Sequence, residues 1–232
     1  LPPWAPVVVI VRYRNGRPRR ATPEWSDNMK KLSVVIFVLM LSPLAAFAQA
    51  GHEYSPLVEK TVNYKNWSLP NLKTDKADDL RSLVAGKKLV MIVYFAPWCG
   101  NWRNEAPIAA KLYEKYKDQG FQVIGVSEYA SRDDVKNFFG EAGPPYPIVT
   151  ESQTRDDKQK TLHYGYRQLT GDTRNWGSPW NIFLEPSKLN ATGEVLTEKA
   201  WVVNGELIED EVDKFISSKV TATSAVITPC KN

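Results

Sequence analysis

Leu89-Val90-Met91-Ile92-Val93-Tyr94-Phe95-Ala96-Pro97-Trp98-Cys99-Gly100-Asn101-Trp102-Arg103-Asn104-Glu105-Ala106-Pro107 is the stretch on which the reading of this chain turns. Its first seven residues are a continuous apolar run, rich in β-branched and aromatic side chains, preceded by the charged turn Gly86-Lys87-Lys88. A strand buried on both faces has this pattern. Past Gly100 the period changes. Ile108, Leu112 and Tyr116 recur at fours among Glu and Lys, which predicts an amphipathic helix ending at Gly120. Cys99 therefore falls where a strand hands over to a helix. Unpaired backbone N–H groups and the helix dipole favour an anion there, and for cysteine that anion is the nucleophilic thiolate. The competing reading is a small buried apolar residue, a common fate of free cysteine.

Working outward, Phe121–Val126 reads as a second buried strand, and Ser131 as the cap of a helix whose inner face is Val135, Phe138 and Phe139. Gly143-Pro144-Pro145-Tyr146-Pro147 ends that helix. The alternation of strand and helix predicts an α/β fold with right-handed parallel crossovers. Ile182-Phe183-Leu184 and Ala200-Trp201-Val202-Val203 read as later strands, close enough in sequence to pair as an antiparallel hairpin. Ile208–Ser217 reads as a closing helix, with Val212, Phe215 and Ile216 facing in. Upstream, Trp67–Leu72 reads as a short extended segment and Lys76–Val84 as a helical turn. Residues 51–62 form a polar lead-in with no clear period, and Glu151–Trp176 a long polar connection. The expected division is a domain over 63–219 and a flexible tail over 220–232 that holds the second cysteine, Cys230.

The Phe95–Pro107 stretch resembles the active site of the thioredoxin superfamily. It is most similar to the TlpA-like (redoxin) periplasmic thiol–disulfide oxidoreductases, whose pattern is W-C-x-x-C-[RK]-x-E-x-P. Ser68-Leu69-Pro70-Asn71-Leu72, the Gly86-Lys87 turn and Gly177-Ser178-Pro179 before Ile182-Phe183-Leu184 fall in the same order as in that family, so the resemblance runs from about Trp67 to Lys219. It implies a thioredoxin-like fold, a central mixed sheet with helices on both faces. It further implies that Cys99 is the nucleophile, that Pro179 is the cis-proline facing it, and that Glu105 is the acid assisting proton transfer. The bland reading of Glu105 is charge stabilisation near a helix N-terminus. Pro107 matches the proline that kinks the family's active-site helix.

One position departs. Trp102 stands where the family has the second cysteine, the one that resolves the mixed disulfide. Three outcomes remain: Cys99 acts as a monothiol, Cys230 resolves from the tail, or the site is degenerate and the protein is a binding module. About 13 residues of extended tail give Cys230 a reach of up to ~40 Å, which permits the meeting without showing it. A one-cysteine peroxidase is a minor rival, because the positions seven and three residues before the cysteine are Ile92 and Ala96 rather than a proline and a hydroxyl residue. Trp98, Trp102, Ser178 and Trp180, joined by Trp176, are candidates for lining a substrate groove; the alternative is that two or more of these indoles fill the core.

Charge and composition bound the rest. Of the 30 Lys/Arg and 26 Asp/Glu, seven and two respectively lie in residues 1–50, which leaves 51–232 with 23 basic and 24 acidic residues. The overall charge of +4 thus belongs to the leader, and nothing in the domain has the clustered positive charge of a nucleic-acid site. Met29-Lys30-Lys31, the apolar run from Leu32, Pro43 and Ala48-Gln49-Ala50 follow the order of a secretory signal peptide over 29–50, with cleavage expected after Ala50. A membrane anchor is the alternative; with cleavage, no membrane span remains. Residues 1–28 are expected to lie upstream of the true start at Met29 and to be non-native. The expected location is beyond an inner membrane, in a periplasm. The partners are protein thiols or disulfides, or a low-molecular-weight thiol. His52 and His163 lie outside the motif, and no Cys/His spacing suggests a metal; no cofactor is implied.

Overall fold

The computed structural model describes residues 51–221. In chain order it contains β1 (Tyr54–Ser55), β2 (Val58–Lys65), β3 (Ser68–Pro70), β4 (Ala77–Asp79), α1 (Leu80–Val84), β5 (Leu89–Phe95), α2 (Gly100–Tyr116), β6 (Phe121–Ser127), α3 (Arg132–Phe139) and β7 (Ile148–Thr150). α4 (Leu162–Thr170), β8 (Trp180–Leu184), β9 (Val195–Val203), β10 (Glu206–Leu207) and α5 (Glu209–Thr221) follow. Six strands form one sheet in the order β2-β9-β8-β5-β6-β7. β5, β6 and β7 are parallel, whereas β8 is antiparallel to both β5 and β9, and β9 to β2.

β5 shows why its sequence carries no polar residue. Leu89, Met91, Val93 and Phe95 enter one core with α2 and α5, while Val90, Ile92 and Tyr94 enter a second core on the opposite face. A strand with two buried faces has no position left for a solvated side chain. β6 divides in the same way, with Phe121 and Val123 on one side and Ile124 and Val126 on the other. The result is a central mixed sheet between two helical layers, the thioredoxin-like arrangement. The β8–β9 hairpin pairs Ile182 with Val202, as the spacing predicts. α3 begins at Ser131, whose hydroxyl accepts from the Asp134 N–H in a capping box.

Three expectations change. The lead-in at 51–62 is not outside the fold: β1 pairs with β10, and β2 is the edge strand that completes the sheet, with Val62 and Tyr64 wholly buried. The Lys76–Val84 turn divides into β4 and the one-and-a-half-turn α1. The polar connection after Glu151 contains α4, whose buried positions are His163, Tyr166, Arg167 and Thr170. Cys230, the leader over 29–50 and the segment 1–28 lie outside the described residues.

Candidate active site

Cys99 is the N-cap of α2, with extended backbone (φ −77°, ψ 129°). It sits there because Pro97 and Trp98 turn the chain sharply out of β5: the Cys99 N–H returns to the Ala96 carbonyl at 2.9 Å, and the first helical bond runs from the Arg103 N–H to the Cys99 carbonyl at 3.2 Å. The cysteine is half-buried and, among the described residues, in no disulfide. Opposite it runs Gly177-Ser178-Pro179, with a cis Ser178–Pro179 peptide. The Cys99 thiol donates to the Ser178 carbonyl at 3.1 Å. The Ser178 hydroxyl in turn accepts from the Ala96 N–H at 2.8 Å. The Cys99 loop and the proline loop are thus tied together twice within a few residues.

The proline loop is itself held from behind. Arg174 donates to the Pro179 carbonyl at 2.8 Å and to both oxygens of Asp172, at 2.9 and 2.7 Å. The buried Arg167 binds Asp172 at 3.1 Å and also reaches the Arg174 carbonyl. Gly177, at φ 59°, lies so close to Arg167 that a Cβ would stand 1.8 Å from its Nε. The glycine is required there on both counts.

The four groove candidates do not share one surface. Trp98 is half-exposed beside Cys99, and its Nε1 donates to the Tyr129 carbonyl at 3.1 Å. Ser178 faces Cys99 but is almost wholly buried. Trp102 and Trp180, in contrast, are core residues rather than groove walls. Trp102 is wholly buried and stacks on Phe95 with ring centroids 4.4 Å apart. Position 102 lies one helical turn beyond the cap, and there α2 turns towards the sheet. Trp180 is the first residue of β8 and points into the opposite core, where it stacks on Tyr166 at 6.1 Å and donates to Asn204 at 2.9 Å. Trp176 joins Trp98 edge-to-face at 5.3 Å. A recess of about 340 Å³ is lined by Pro97, Trp98, Arg103, Asp134, Asn137 and Phe138.

Glu105 is wholly buried on the inner face of α2. Its Oε2 accepts from the Leu207 N–H at 2.8 Å and from Asn181 at 3.3 Å, while Oε1 has no partner. Burial pushes its pKa from 4.5 up to about 8; the two donors oppose that shift and nearby Glu206 adds to it. Glu206 is in turn held by the Glu53 N–H and by His52, each at 2.8 Å. Sequence reasoning does not find Asn181 and Glu206 as neighbours of Glu105. The one available signal was Asn181, an amide inside an otherwise apolar strand.

A second buried polar group underlies the connection from β7 to β8. Glu128 accepts from Ser152, Tyr129 OH meets His163 Nδ1 at 3.2 Å, and the His163 ring stacks on Tyr94 at 4.8 Å. Burial raises the Glu128 pKa well above the usual carboxylate range and depresses that of His163, so each favours its neutral form. Among the described residues no group of three or more His, Cys, Asp or Glu is placed to hold a metal ion.

A cysteine capping the helix after the central strand, set against a cis-proline loop on a mixed sheet of this order, defines a thioredoxin-like protein. The chain belongs to the Redoxin family, whose model matches residues 59–182. It is 26% identical over 122 residues to the thiol-disulfide oxidoreductase ResA of Bacillus thuringiensis, covering 50% of this chain and 67% of that protein. It is 30% identical over 105 residues to "Probable protein disulfide-isomerase A4" of Caenorhabditis elegans, covering 45% of this chain but only 15% of that much longer one. Among solved structures, a thiol:disulfide interchange protein of the thioredoxin family from Chlorobium tepidum superposes with a TM-score of 0.46 at 17% identity, over 69% of this chain and 97% of that one.

Proposed function

We propose that this protein exchanges thiols and disulfides with its substrates through Cys99 alone, as a monothiol. The observation that carries the reading is the setting of the sulfur: half-exposed, at the N-terminus of a 17-residue helix, 3.1 Å from the proline-loop carbonyl. A helix N-terminus stabilises the thiolate that attacks a disulfide. The proline loop offers backbone groups on which an extended substrate can lie. Glu105, neutral over much of the physiological range, is the proton source and sink behind the site. The names of the relatives, a thiol-disulfide oxidoreductase and a disulfide-isomerase, support the reaction class. With an indole at position 102, the mixed disulfide on Cys99 has no resolving sulfur in the motif. An external thiol then releases it, unless Cys230 serves from the tail. The signal-like segment 29–50 supports action outside the cytoplasm, on exported protein thiols or on a small thiol.

The same buried indole favours a second reading, a module that binds a partner at the loops and does no chemistry. The test is to incubate the protein, as Cys230→Ser, with bis(2-hydroxyethyl) disulfide and follow its mass. An adduct on Cys99, absent in Cys99→Ser and removed by glutathione, is expected. Iodoacetamide should also label the half-exposed Cys99 of the folded protein, and not Cys99→Ser. No adduct and no labelling of the folded protein would leave only the binding module.

A further inference from the structure

We infer that the site selects disulfides carrying a carboxylate next to the reactive sulfur, and that Arg155 and Lys158 are the specificity-determining residues. The inference rests on Cys99 being the exchanging thiol and names the substrate class of that same site. The connection between β7 and β8 folds back against the nucleophile loop and places two cations on its indoles. The Arg155 guanidinium lies 4.1 Å from the ring centroid of Trp98, the residue immediately before Cys99, and 5.5 Å from that of Trp176. Lys158 Nζ lies 5.0 Å from the Trp176 centroid. Stacking occupies the face of a guanidinium and leaves the N–H groups along its edge free to donate.

The neighbouring acids do not neutralise this edge. Asp157 is taken by Lys160 at 3.0 Å and Thr154 at 2.8 Å, and among the described residues neither it nor Asp156 forms an ion pair with Arg155. Lys158 is anchored by the carbonyl and side chain of Asn175, both at 3.0 Å, which fixes its ammonium relative to Trp176, while Arg155 is placed by its stacking on Trp98. Trp176 is also braced by Tyr129 at 5.4 Å. A substrate disulfide that lies against Trp98, the residue next to Cys99, therefore meets a positively charged wall. A carboxylate within one or two residues of that sulfur would be bound, and an ammonium repelled.

In the step itself the Cys99 thiolate attacks one sulfur of the substrate disulfide. The S–S bond breaks, a new S–S bond joins Cys99 to that half, and the electron pair leaves on the departing thiolate, which takes a proton from Glu105, itself reprotonated by water. Nothing is consumed beyond the disulfide. The cations act on docking and on the carboxylate, leaving the sulfur chemistry unchanged.

The experiment compares three small disulfides of similar length on the Cys230→Ser protein: 3,3′-dithiodipropionate, bis(2-hydroxyethyl) disulfide and cystamine. Each rate of adduct formation on Cys99 is divided by the rate with the unfolded chain, which removes intrinsic reactivity. The expected order is anionic, neutral, cationic, with the anionic probe about three- to tenfold ahead of the neutral one at low salt and the lead shrinking at high salt. Arg155→Gln, an exposed position, should remove most of the lead, and Lys158→Gln part of it. Lys199→Gln, which removes the same charge from the exposed face of β9, should leave the order intact. A peptide disulfide flanked by Glu, set against one flanked by Lys, separates the sources: a wider ratio than the small pair gives points to acidic protein substrates, an equal one to a small carboxylate thiol, and either supports the inference. Equal normalised rates for all three probes, or a lead that survives Arg155→Gln, overturn the inference and leave the exchange reaction standing. Failure of even the neutral probe to react is the result that removes the exchange reaction itself.

Discussion

Glu105 is a carboxyl placed where its charge is costly. Only Oε2 has donors, and the unpartnered Oε1 suits a protonated acid better than an anion. The consequence for stability follows from the direction of the shift. Because the folded-state pKa is raised from 4.5 to about 8, the folded protein keeps a proton that the unfolded chain has already lost. This group's contribution is intact below about pH 4.5, declines as the pH rises, and is gone above about pH 8. Glu105→Gln keeps an acceptor for the Leu207 N–H but cannot ionise. Urea unfolding at pH 5 and pH 8 should therefore show the parent losing on the order of 3 kcal/mol more than the variant across that interval. Parallel losses would mean that the carboxyl is ionised in the fold, and its role as a neutral proton donor would go with that result. At the same scale, Trp102 marks a difference between spelling and structure. It occupies a chemically loaded position in the motif, yet its rings pack as a core aromatic on Phe95 at 4.4 Å and Phe138 at 6.0 Å, with its Nε1 left without a hydrogen-bond partner.

At the scale of elements, the site is two loops held by a third. The nucleophile loop and the proline loop meet at Cys99 and Ser178, but the proline loop keeps its place through Arg167, Asp172 and Arg174 in the connection around α4. Gly177→Ala tests this dependence. The added methyl meets the Arg167 guanidinium, and the left-handed φ is strained for alanine, so the Arg167–Asp172 pair must open. A destabilisation of about 2–4 kcal/mol is expected, together with slower adduct formation at Cys99, although Gly177 touches no sulfur. Thermal unfolding and the bis(2-hydroxyethyl) disulfide reaction measure the two effects. Unchanged values of both would show the support to be dispensable. The same elements explain what could be read from sequence alone. β5 and β6 are legible because each is an apolar run buried on both faces, and α2 because Leu112 and Tyr116 recur at helical spacing on its buried face. α4 is not, because its inward face is His163, Tyr166, Arg167 and Thr170, polar types paired inside the protein that no hydrophobic pattern reveals. The cation-bearing wall on Trp98 shares that fate, since Arg155 and Lys158 lie far along the chain from the tryptophan and cysteine they flank.

For the whole molecule, the sheet extends further upstream than its sequence suggests. β2 reads as a polar lead-in because it is an edge strand. Its outward residues are charged or polar, and the register shifts on either side of Tyr64, with Asn63 at φ 47°, blur the alternation. Its inward residues are nonetheless structural. Tyr64 shares a hydrogen bond of 2.8 Å with Tyr94 of the central strand and accepts one of 3.1 Å from Trp67, while Val62 is wholly buried in the same core. Burying two such side chains contributes about 1.5–3 kcal/mol each, and without β2 the hydrogen-bonding edge of β9 and the hydroxyl of Tyr94 lose their partners. The sum approaches the 5–15 kcal/mol that typically separates folded from unfolded domains. Deleting residues 51–65 is therefore expected to abolish the cooperative thermal transition seen by circular dichroism, even though every candidate site residue from Trp98 to Trp180 is retained. A chain starting at Gly51 should keep that transition. If the shorter chain melts at the same temperature and still forms the Cys99 adduct, then the domain begins after β2 and the strand is an appendage; if it does not fold, the thiol site depends on an edge strand about 35 residues upstream of the cysteine.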